Sequence, residues 1–299
     1  VRTLDRSHNQ YGKMWECPDF FPLDGKQVLI TSPQEMSPVG LEFHAGNGTV
    51  CLIGEYDRPK GFTRQNVQAI DYGLDFYAPQ TLLSPDGRRV MIAWMQNWGT
   101  VGAKPYHCRW FGQMTLPREL SVKDGRLYQN PVRELEGCRS CCVTHRNIPV
   151  CGEVNLPGVQ GRVLDMTVSV RPTGGEMYRW FRIRVAKDGE HETIIRYRPG
   201  NDTVKIDRTR GGLPHDIVHT RSFLVRPRNG EIKLRIILDR FSVEVFVNDG
   251  EQAASAVIYT RQEADAITFE AGGSVLMDVE KYDLAFDGQE TEGQRMEVQ

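Results

Sequence analysis

The sequence contains almost no signal for α-helix. No stretch in the body of the chain repeats apolar residues every three to four positions, as an amphipathic helix would. Short runs of alternating polar and apolar residues occur instead, and turn residues separate them. These turns are Asp24-Gly25, Asn47-Gly48, Asp86-Gly87, Asp124-Gly125, Asp188-Gly189 and Asp249-Gly250. The pattern predicts an all-β protein.

Long hydrophobic runs and an excess of one charge are missing as well. Apolar runs such as residues 90–95 fall far short of the roughly 20 residues that a membrane-spanning helix needs. Lysine and arginine number 37 and aspartate and glutamate 39, so the charge indicates neither a nucleic acid nor an acidic membrane as partner. No signal peptide is visible at Val1, but the chain does not begin with Met, so that absence decides little.

The seven cysteines do not form the even, spread-out set that is typical of a secreted domain. They predict free thiols, and therefore a cytoplasmic protein. Cys138, Cys141, Cys142 and Cys151 surround His145 and suggest a zinc site as an alternative. Their spacing matches no standard pair-of-pairs pattern. We therefore expect no metal there, but thiols in a buried strand and its turn.

The character of the sequence changes near residue 134. Residues 1–134 hold short strands rich in Trp, Phe and Tyr, and propeller blades of about 40–45 residues would fit this region about three times. Residues 130–137 read as a short connector. Residues 138–287 form a second domain, and the polar tail that begins at Asp287 is expected to be frayed.

Cleaner alternation in the second domain predicts a β-sandwich. Apolar residues two positions apart share one face of a strand, and several strands repeat this spacing. The predicted inward-facing sets are Leu164, Met166, Val168 and Val170; Ile232, Leu234, Ile236 and Leu238; and Phe241, Val243, Val245 and Val247.

Residues 14–21, Met-Trp-Glu-Cys-Pro-Asp-Phe-Phe, place Glu16 between an aromatic residue and a Cys-Pro step. Because the residue before a proline avoids helix, Glu16 is expected at the start or edge of a strand, facing a cleft. Desolvation beside Trp15 would raise its pKa and make it a general acid. The alternative is a solvated or hydrogen-bonded carboxylate on the rim of a strand.

This stretch resembles the acid/base motif of glycoside hydrolase family 32, which includes invertases, fructanases and sucrose-6-phosphate hydrolases. Further segments resemble the family's motifs in the family's order, and together they cover nearly the whole chain. They are Thr-Ser-Pro-Gln at 31–34, Asp-Tyr-Gly-Leu-Asp-Phe-Tyr-Ala-Pro-Gln-Thr at 71–81, Ala-Trp-Met-Gln-Asn-Trp at 93–98, residues 111–120 and the hairpin at 239–251. The resemblance implies a five-bladed propeller followed by a β-sandwich.

The resemblance also implies a retaining β-fructofuranosidase that acts on sucrose or sucrose-6-phosphate without a metal or an organic cofactor. Glu16 would be the acid/base, and Gln34, Tyr77 and Trp98 would line the sugar site. Trp98 would offer a flat apolar face, while Gln34 would both donate to and accept from hydroxyls. Tyr77 and Trp98 have the alternative of being ordinary core aromatics.

Other charged residues near these motifs have structural interpretations. Asp19 and Asp75 are expected to accept backbone hydrogen bonds. A group of basic residues could touch a phosphate, but a solvated face is the preferred interpretation. This group comprises Arg88, Arg89, Lys104, His107 and Arg109.

The sequence lacks the family's Asn-Asp-Pro-Asn-Gly motif, which carries the nucleophile, and its Arg-Asp-Pro motif. The chain is therefore expected to begin partway round the propeller, to need a missing N-terminal propeller segment as partner and to be inactive alone. An incomplete ring would expose sheet edges that pair with other chains, and a homo-oligomer through the sandwich is a further candidate. The alternative function is a non-catalytic, lectin-like carbohydrate-binding fragment, against which the intact Glu16 motif argues.

Overall fold

The computed structural model describes residues 3–105, 108–174, 177–213 and 216–286. Within these ranges the regular structure is antiparallel strand, apart from one 3-10 helix at Arg133–Cys138. The all-β prediction is confirmed. His107 and the tail from Asp287 lie outside the described residues.

Two four-stranded antiparallel sheets form the N-terminal part. In each of them, strands that follow one another in sequence are neighbours in the sheet, as in a propeller blade. The first sheet holds β1 (Met14–Leu23), β2 (Lys26–Gln34), β3 (Val50–Asp57) and β4 (Gly61–Ala69). The second holds β5 (Tyr77–Leu83), β6 (Arg89–Trp94), β7 (Arg118–Lys123) and β8 (Arg126–Pro131).

The expected number of about three blades is too high for the described residues, which hold two such sheets. Each sheet takes up more of the chain than the 40–45 residues assumed for a blade. The reason is two long inserted loops, residues 35–49 between β2 and β3 and residues 95–117 between β6 and β7. The second of these loops contributes to the candidate site.

The C-terminal part is a β-sandwich made from one ten-stranded sheet that folds back on itself. Its order is β14-β13-β12-β11-β18-β10-β15-β16-β17, with β9 paired to β18. The strands are β9 (Arg139–Val154), β10 (Leu164–Pro172), β11 (Phe181–Lys187), β12 (Thr193–Arg198), β13 (Thr203–Asp207), β14 (Thr220–Leu224), β15 (Ile232–Asp239), β16 (Ser242–Val247), β17 (Gln252–Val257) and β18 (Ala266–Leu284).

Strand β18 belongs to both layers of the sandwich. Its first part, residues 266–271, pairs with β11, and its second part, residues 275–283, pairs with β10. The register against β9 slips between these two parts. Gly272 lies at the slip, where a Cβ would approach the Trp180 ring to 2.5 Å. A residue larger than glycine at this slip would therefore have to displace the Trp180 ring.

The predicted inward-facing residues of the sandwich are confirmed for β10 and β15, whose apolar positions are all buried. Strand β16 differs, because both of its faces are buried. Val243, Val245 and Val247 enter the sandwich core as predicted, but Phe241 lies in the turn before β16 and is only half-buried. Glu244 and Phe246 face the second N-terminal sheet. Alternation alone does not reveal a strand that is covered on both sides.

Buried ion pairs join the second sheet to the sandwich. Arg118 in β7 is wholly buried, with Asp71 at 3.0 Å and Glu244 at 2.5 Å. Asp75 is paired with buried Arg208, and Arg208 also donates to the carbonyl oxygen of Val257 at 3.1 Å. Buried charges are tolerated when they are paired in this way. Residues 71–75, which lead into β5, are thereby fixed against the sandwich.

The cysteines contradict one expectation. Cys141, Cys142 and Cys151 lie on β9 but are exposed, not buried. All seven cysteines are free thiols. The described residues contain no group of three or more His, Cys, Asp or Glu side chains that could hold a metal ion. No helix in the described ranges has the length and apolar character that crossing a membrane requires.

Candidate active site

Glu16 is the third residue of β1, which forms the edge of the first sheet, as expected. A β-bulge follows it directly, because Cys17 and Pro18 together oppose one residue of β2. Cys17 adopts a φ of 49°, a left-handed conformation that is uncommon for residues other than glycine. Bulges re-aim side chains and are frequent next to active sites. The edge position also accommodates Pro18, which has no N–H to donate.

Tyr77 begins β5 and is followed by the same local geometry. Ala78 has a φ of 50°, and Ala78 and Pro79 together oppose one residue of β6. Glu16 and Tyr77 therefore occupy equivalent positions, each immediately before a left-handed residue and a proline.

The two bulges are hydrogen-bonded to each other. The Asp19 carboxylate accepts from the backbone N–H of Thr81 at 2.9 Å and from its hydroxyl at 2.6 Å. The Gln80 amide donates to the carbonyl oxygen of Cys17 at 3.1 Å. These contacts hold the first strand of one sheet beside the first strand of the other. Glu16 and Tyr77 are thereby brought together.

Three donors converge on one oxygen of Glu16. Its Oε2 accepts from Gln34 Nε2 at 2.8 Å, from the Tyr77 hydroxyl at 2.9 Å and from Trp98 Nε1 at 3.3 Å. No hydrogen bond from the described residues reaches Oε1. All four side chains singled out in the sequence thus lie in one constellation, which draws on both N-terminal sheets. One carboxylate oxygen is held and the other remains open.

Tyr77 and Trp98 have different surroundings. Tyr77 is 1% exposed, and its single hydroxyl proton is shared between Glu16 Oε2 and the carbonyl oxygen of Ser32, which lies 3.0 Å from the hydroxyl oxygen. Trp98 lies on the loop 95–117 and is 53% exposed. Its ring lies edge-on to the Trp94 ring, with the two ring centroids 5.5 Å apart. Trp98 is therefore not a core aromatic, and its ring is available to a ligand.

The pKa of Glu16 lies below its ordinary value, which contradicts the expectation of a raised pKa. Hydrogen bonds from Gln34 and then Tyr77 are the main causes, because they stabilise the ionised form. Trp15 does not desolvate Glu16, since its indole donates to the Tyr11 carbonyl at 2.7 Å and packs near Arg64. Adjacent residues in a strand point to opposite faces, and the expectation ignored this.

Comparison with known proteins identifies the family. The model of the glycosyl hydrolases family 32 N-terminal domain matches residues 1–131, and that of the family 32 C-terminal domain matches residues 134–284. The chain belongs to glycosyl hydrolase family 32.

Characterised relatives of this family 32 chain include hydrolases of several fructosides. It is 35% identical to a raffinose invertase of Escherichia coli over 91% of this chain and 56% of the relative. It is 31% identical to a sucrose-6-phosphate hydrolase of Staphylococcus xylosus over 93% of this chain and 56% of the relative. The chain thus spans little more than half the length of these relatives.

Solved family 32 structures confirm the predicted combination of propeller and sandwich. A GH32 β-fructofuranosidase of Bombyx mori superimposes with a TM-score of 0.75 at 26% identity. The superposition covers 95% of this chain and 57% of that structure.

Four of the remaining charged residues of this family 32 chain have partners within the structure. Asp19 and Asp75 accept backbone hydrogen bonds as expected, from Thr81 and from Val257. Arg88 is paired with Asp86, Glu119 and Glu134, and Arg89 covers the Phe21 ring at 4.4 Å. Neither arginine contacts the constellation around Glu16. Lys104 and Arg109 lie on the loop 95–117.

Proposed function

We propose that this chain supplies the acid/base side of a β-fructofuranosidase site that hydrolyses sucrose or sucrose-6-phosphate with retention. The observation that carries the proposal is the asymmetric contact of Glu16. Gln34, Tyr77 and Trp98 orient the carboxylate through Oε2. Oε1 remains open to exchange a proton with a substrate or water.

The proposed reaction uses Glu16 twice. In the first step protonated Glu16 gives its proton to the glycosidic oxygen as the bond from that oxygen to the anomeric carbon breaks. The fructosyl group passes to an aspartate nucleophile. In the second step the Glu16 carboxylate removes a proton from water, which attacks the same carbon and frees the aspartate. Trp98 supplies the exposed ring face for a sugar, and Gln34 and Tyr77 keep Glu16 in place.

The nucleophile is proposed to lie outside residues 1–299, so that this chain alone does not turn over. Retention needs two carboxyl groups about 5–5.5 Å apart. Asp19 and Asp75 are committed to Thr81 and Arg208. A second carboxylate beside Glu16 would raise its pKa by like-charge repulsion, as the acid step requires. The lowered pKa of Glu16 is the value expected for one carboxylate of such a pair without the other beside it.

The decisive experiment compares two leaving groups in protein that contains this chain together with the proposed N-terminal segment and whose intact mass has been measured. Glu16→Gln should lower kcat/KM on sucrose by about 10²–10⁴-fold, because a sugar alkoxide leaves poorly without a proton. It should change kcat/KM on p-nitrophenyl fructofuranoside far less, because nitrophenolate leaves unprotonated. Glu55→Gln, an exposed carboxylate on β3 of the same sheet, is the matched control and should leave both values unchanged. Equal losses on the two substrates would remove Glu16 from the acid role.

Sugar binding without turnover is the competing function, and a half-buried, ionised Glu16 would also suit it. Titrating fructose into the full 299-residue chain while following tryptophan fluorescence tests binding independently of catalysis. Binding that Trp98→Phe weakens, in a protein that never hydrolyses sucrose even with the rest of its polypeptide present, would favour the lectin-like function.

We further propose two domains, residues 1–134 and 138–287, and a cytoplasmic location. The strands of the second sheet end at Pro131 and those of the sandwich begin at Arg139, which supports this division. Seven free thiols support a reducing compartment. Cell fractionation tests the location. Sedimentation of the chain tests pairing with a second copy or with a separate N-terminal segment.

A further inference from the structure

A row of three cationic side chains crosses the sandwich. Arg182 in β11 lies directly opposite Arg196 in β12, and Arg196 lies directly opposite Lys205 in β13. Like charges that face each other across neighbouring strands destabilise a sheet. Another interaction must therefore offset the repulsion among these three cations.

The row lies on the outer face of its sheet. The residues that alternate with it, such as Ile183, Ile195 and Ile206, are buried in the core. Successive side chains of a strand point to opposite faces, so the cations point away from that core. They are half-buried, and charges in such positions are screened less by salt than fully exposed ones.

Carboxylates compensate the two ends of the row but not its centre. Arg182 donates to Glu270 at 3.3 Å, and Lys205 donates to Asp207 at 2.8 Å. Arg196 makes no hydrogen bond or ion pair with the described residues, and its Nε is buried without an acceptor. Buried polar atoms usually have partners, but five other arginine Nε atoms of the described residues also lack one, so it is the row of facing cations that favours an anion here.

A cavity of about 280 Å³ opens beside Arg196. Four cations and two carboxylates line it, so its lining carries an excess of positive charge. These charged residues are Arg182, Arg184, Arg196, Lys205, Glu192 and Asp207. Both carboxylates are already paired, Glu192 with Arg184 at 2.7 Å and Asp207 with Lys205. The charge that remains uncompensated in the cavity is positive, so the cavity favours an anion.

We propose that this cavity binds the phosphate group of a small phosphorylated molecule, with Arg196 as its central ligand and Arg182 and Lys205 beside it. A guanidinium presents parallel N–H donors that match two phosphate oxygens. A dianion between the three side chains converts their repulsion into attraction. At about 30 Å³ per water molecule, the volume leaves room for an organic group beside the phosphate. The site does not involve Glu16 and stands independently of the proposed hydrolysis.

The test titrates inorganic phosphate into the full chain at constant ionic strength, with chloride as the balancing ion. Phosphate should raise the Tm and give a saturable heat of binding. Arg196→Gln should raise the apparent Kd for phosphate by about tenfold or more, because it removes a charge-assisted pair of hydrogen bonds. Arg198→Gln is the matched control, since it removes an exposed cation from the same strand and face but outside the cavity lining. It should leave the Kd unchanged.

A second readout needs no phosphate. Arg196→Gln should melt at the same or a higher temperature than the parent in chloride alone, because it relieves the repulsion in the row. Lys205→Gln provides a second variant with weakened binding if Arg196→Gln does not fold. An unchanged phosphate response in Arg196→Gln, an equal loss in Arg198→Gln, or an equal response of the parent to acetate would each overturn the proposal.

Discussion

Arg118 and Glu244 join the two halves of this molecule through a pair without solvent contact. The guanidinium Nη2 lies 2.5 Å from Glu244 Oε2, and Arg118 comes from β7 while Glu244 comes from β16. The same guanidinium lies over the rings of Phe76 and Phe246. One buried cation with a complete set of partners thus links the second sheet to the sandwich.

Removing this cation should be costly. Arg118→Ala leaves Glu244 and Asp71 buried without their counter-ion, and breaking a buried pair in this way costs about 3–5 kcal/mol. Urea unfolding monitored by tryptophan fluorescence measures the loss. Arg133→Ala, which removes an exposed partner of Glu119, is the control and should cost less than about 1 kcal/mol. Equal costs for the two variants would contradict the structural role given to Arg118.

The hydrogen bond from Tyr77 should be visible in the acidity of Glu16. Tyr77→Phe removes a donor that stabilises the carboxylate, so the pKa of Glu16 should rise towards its ordinary value. Carbon-13 NMR of the Glu16 carboxyl across pH measures this without any need for turnover. In an active protein the basic limb of kcat/KM should move to higher pH, because Glu16 then keeps its proton longer. Tyr56→Phe, an exposed tyrosine on β3, should shift neither value.

The left-handed residue of the second bulge offers a stabilising substitution. Ala78 has a φ of 50°, a conformation that costs an L-residue about 1–2 kcal/mol and costs glycine little. Ala78→Gly should therefore raise the free energy of unfolding by up to about 1 kcal/mol. Ala93→Gly, in the strand that opposes the bulge, should lower it by about 0.5–1 kcal/mol. Thermal unfolding of both variants measures these two changes in stability. A lower stability of Ala78→Gly would contradict the prediction.

The thiols should differ in reactivity. Cys51 is wholly buried, and burial raises its pKa, so it should react with an aromatic disulfide reagent only after unfolding. Four exposed thiols should react in the native protein, and they are Cys17, Cys141, Cys142 and Cys151. Counting released thiolate before and after adding denaturant, with Cys51→Ala as control, checks both statements. Rapid native labelling of Cys51 would show that the first sheet opens readily.

Much of the candidate site could be predicted because its residues lie in short local segments. Glu16 and Tyr77 each precede a proline step that can be read along the chain, and Gln34 and Trp98 lie in equally short motifs. The direction of the pKa shift could not be predicted in the same way. It depends on donors from two sheets, whereas the neighbour in sequence, Trp15, points elsewhere.

The fold was predicted where alternation is clear and missed where contacts are distant. Arg118 and Glu244 are 126 residues apart, and no local pattern marks either as a buried ion-pair partner. The number of N-terminal sheets was overestimated because the loops 35–49 and 95–117 lengthen each repeat. The exposure of Cys141 and Cys142 was missed because their strand pairs only with β18 and has most of its residues uncovered.

The pKa of Glu16 also depends on how the two N-terminal sheets are arranged. Gln34 reaches Glu16 from the first sheet, while Tyr77 and Trp98 reach it from the second. Any change in the angle between the sheets alters how many donors Glu16 keeps, and so alters its affinity for a proton. Thermodynamic linkage makes this reciprocal, so protonation of Glu16 must also loosen the contact between the sheets. The acidity of one side chain thus reports on the contact between the two sheets.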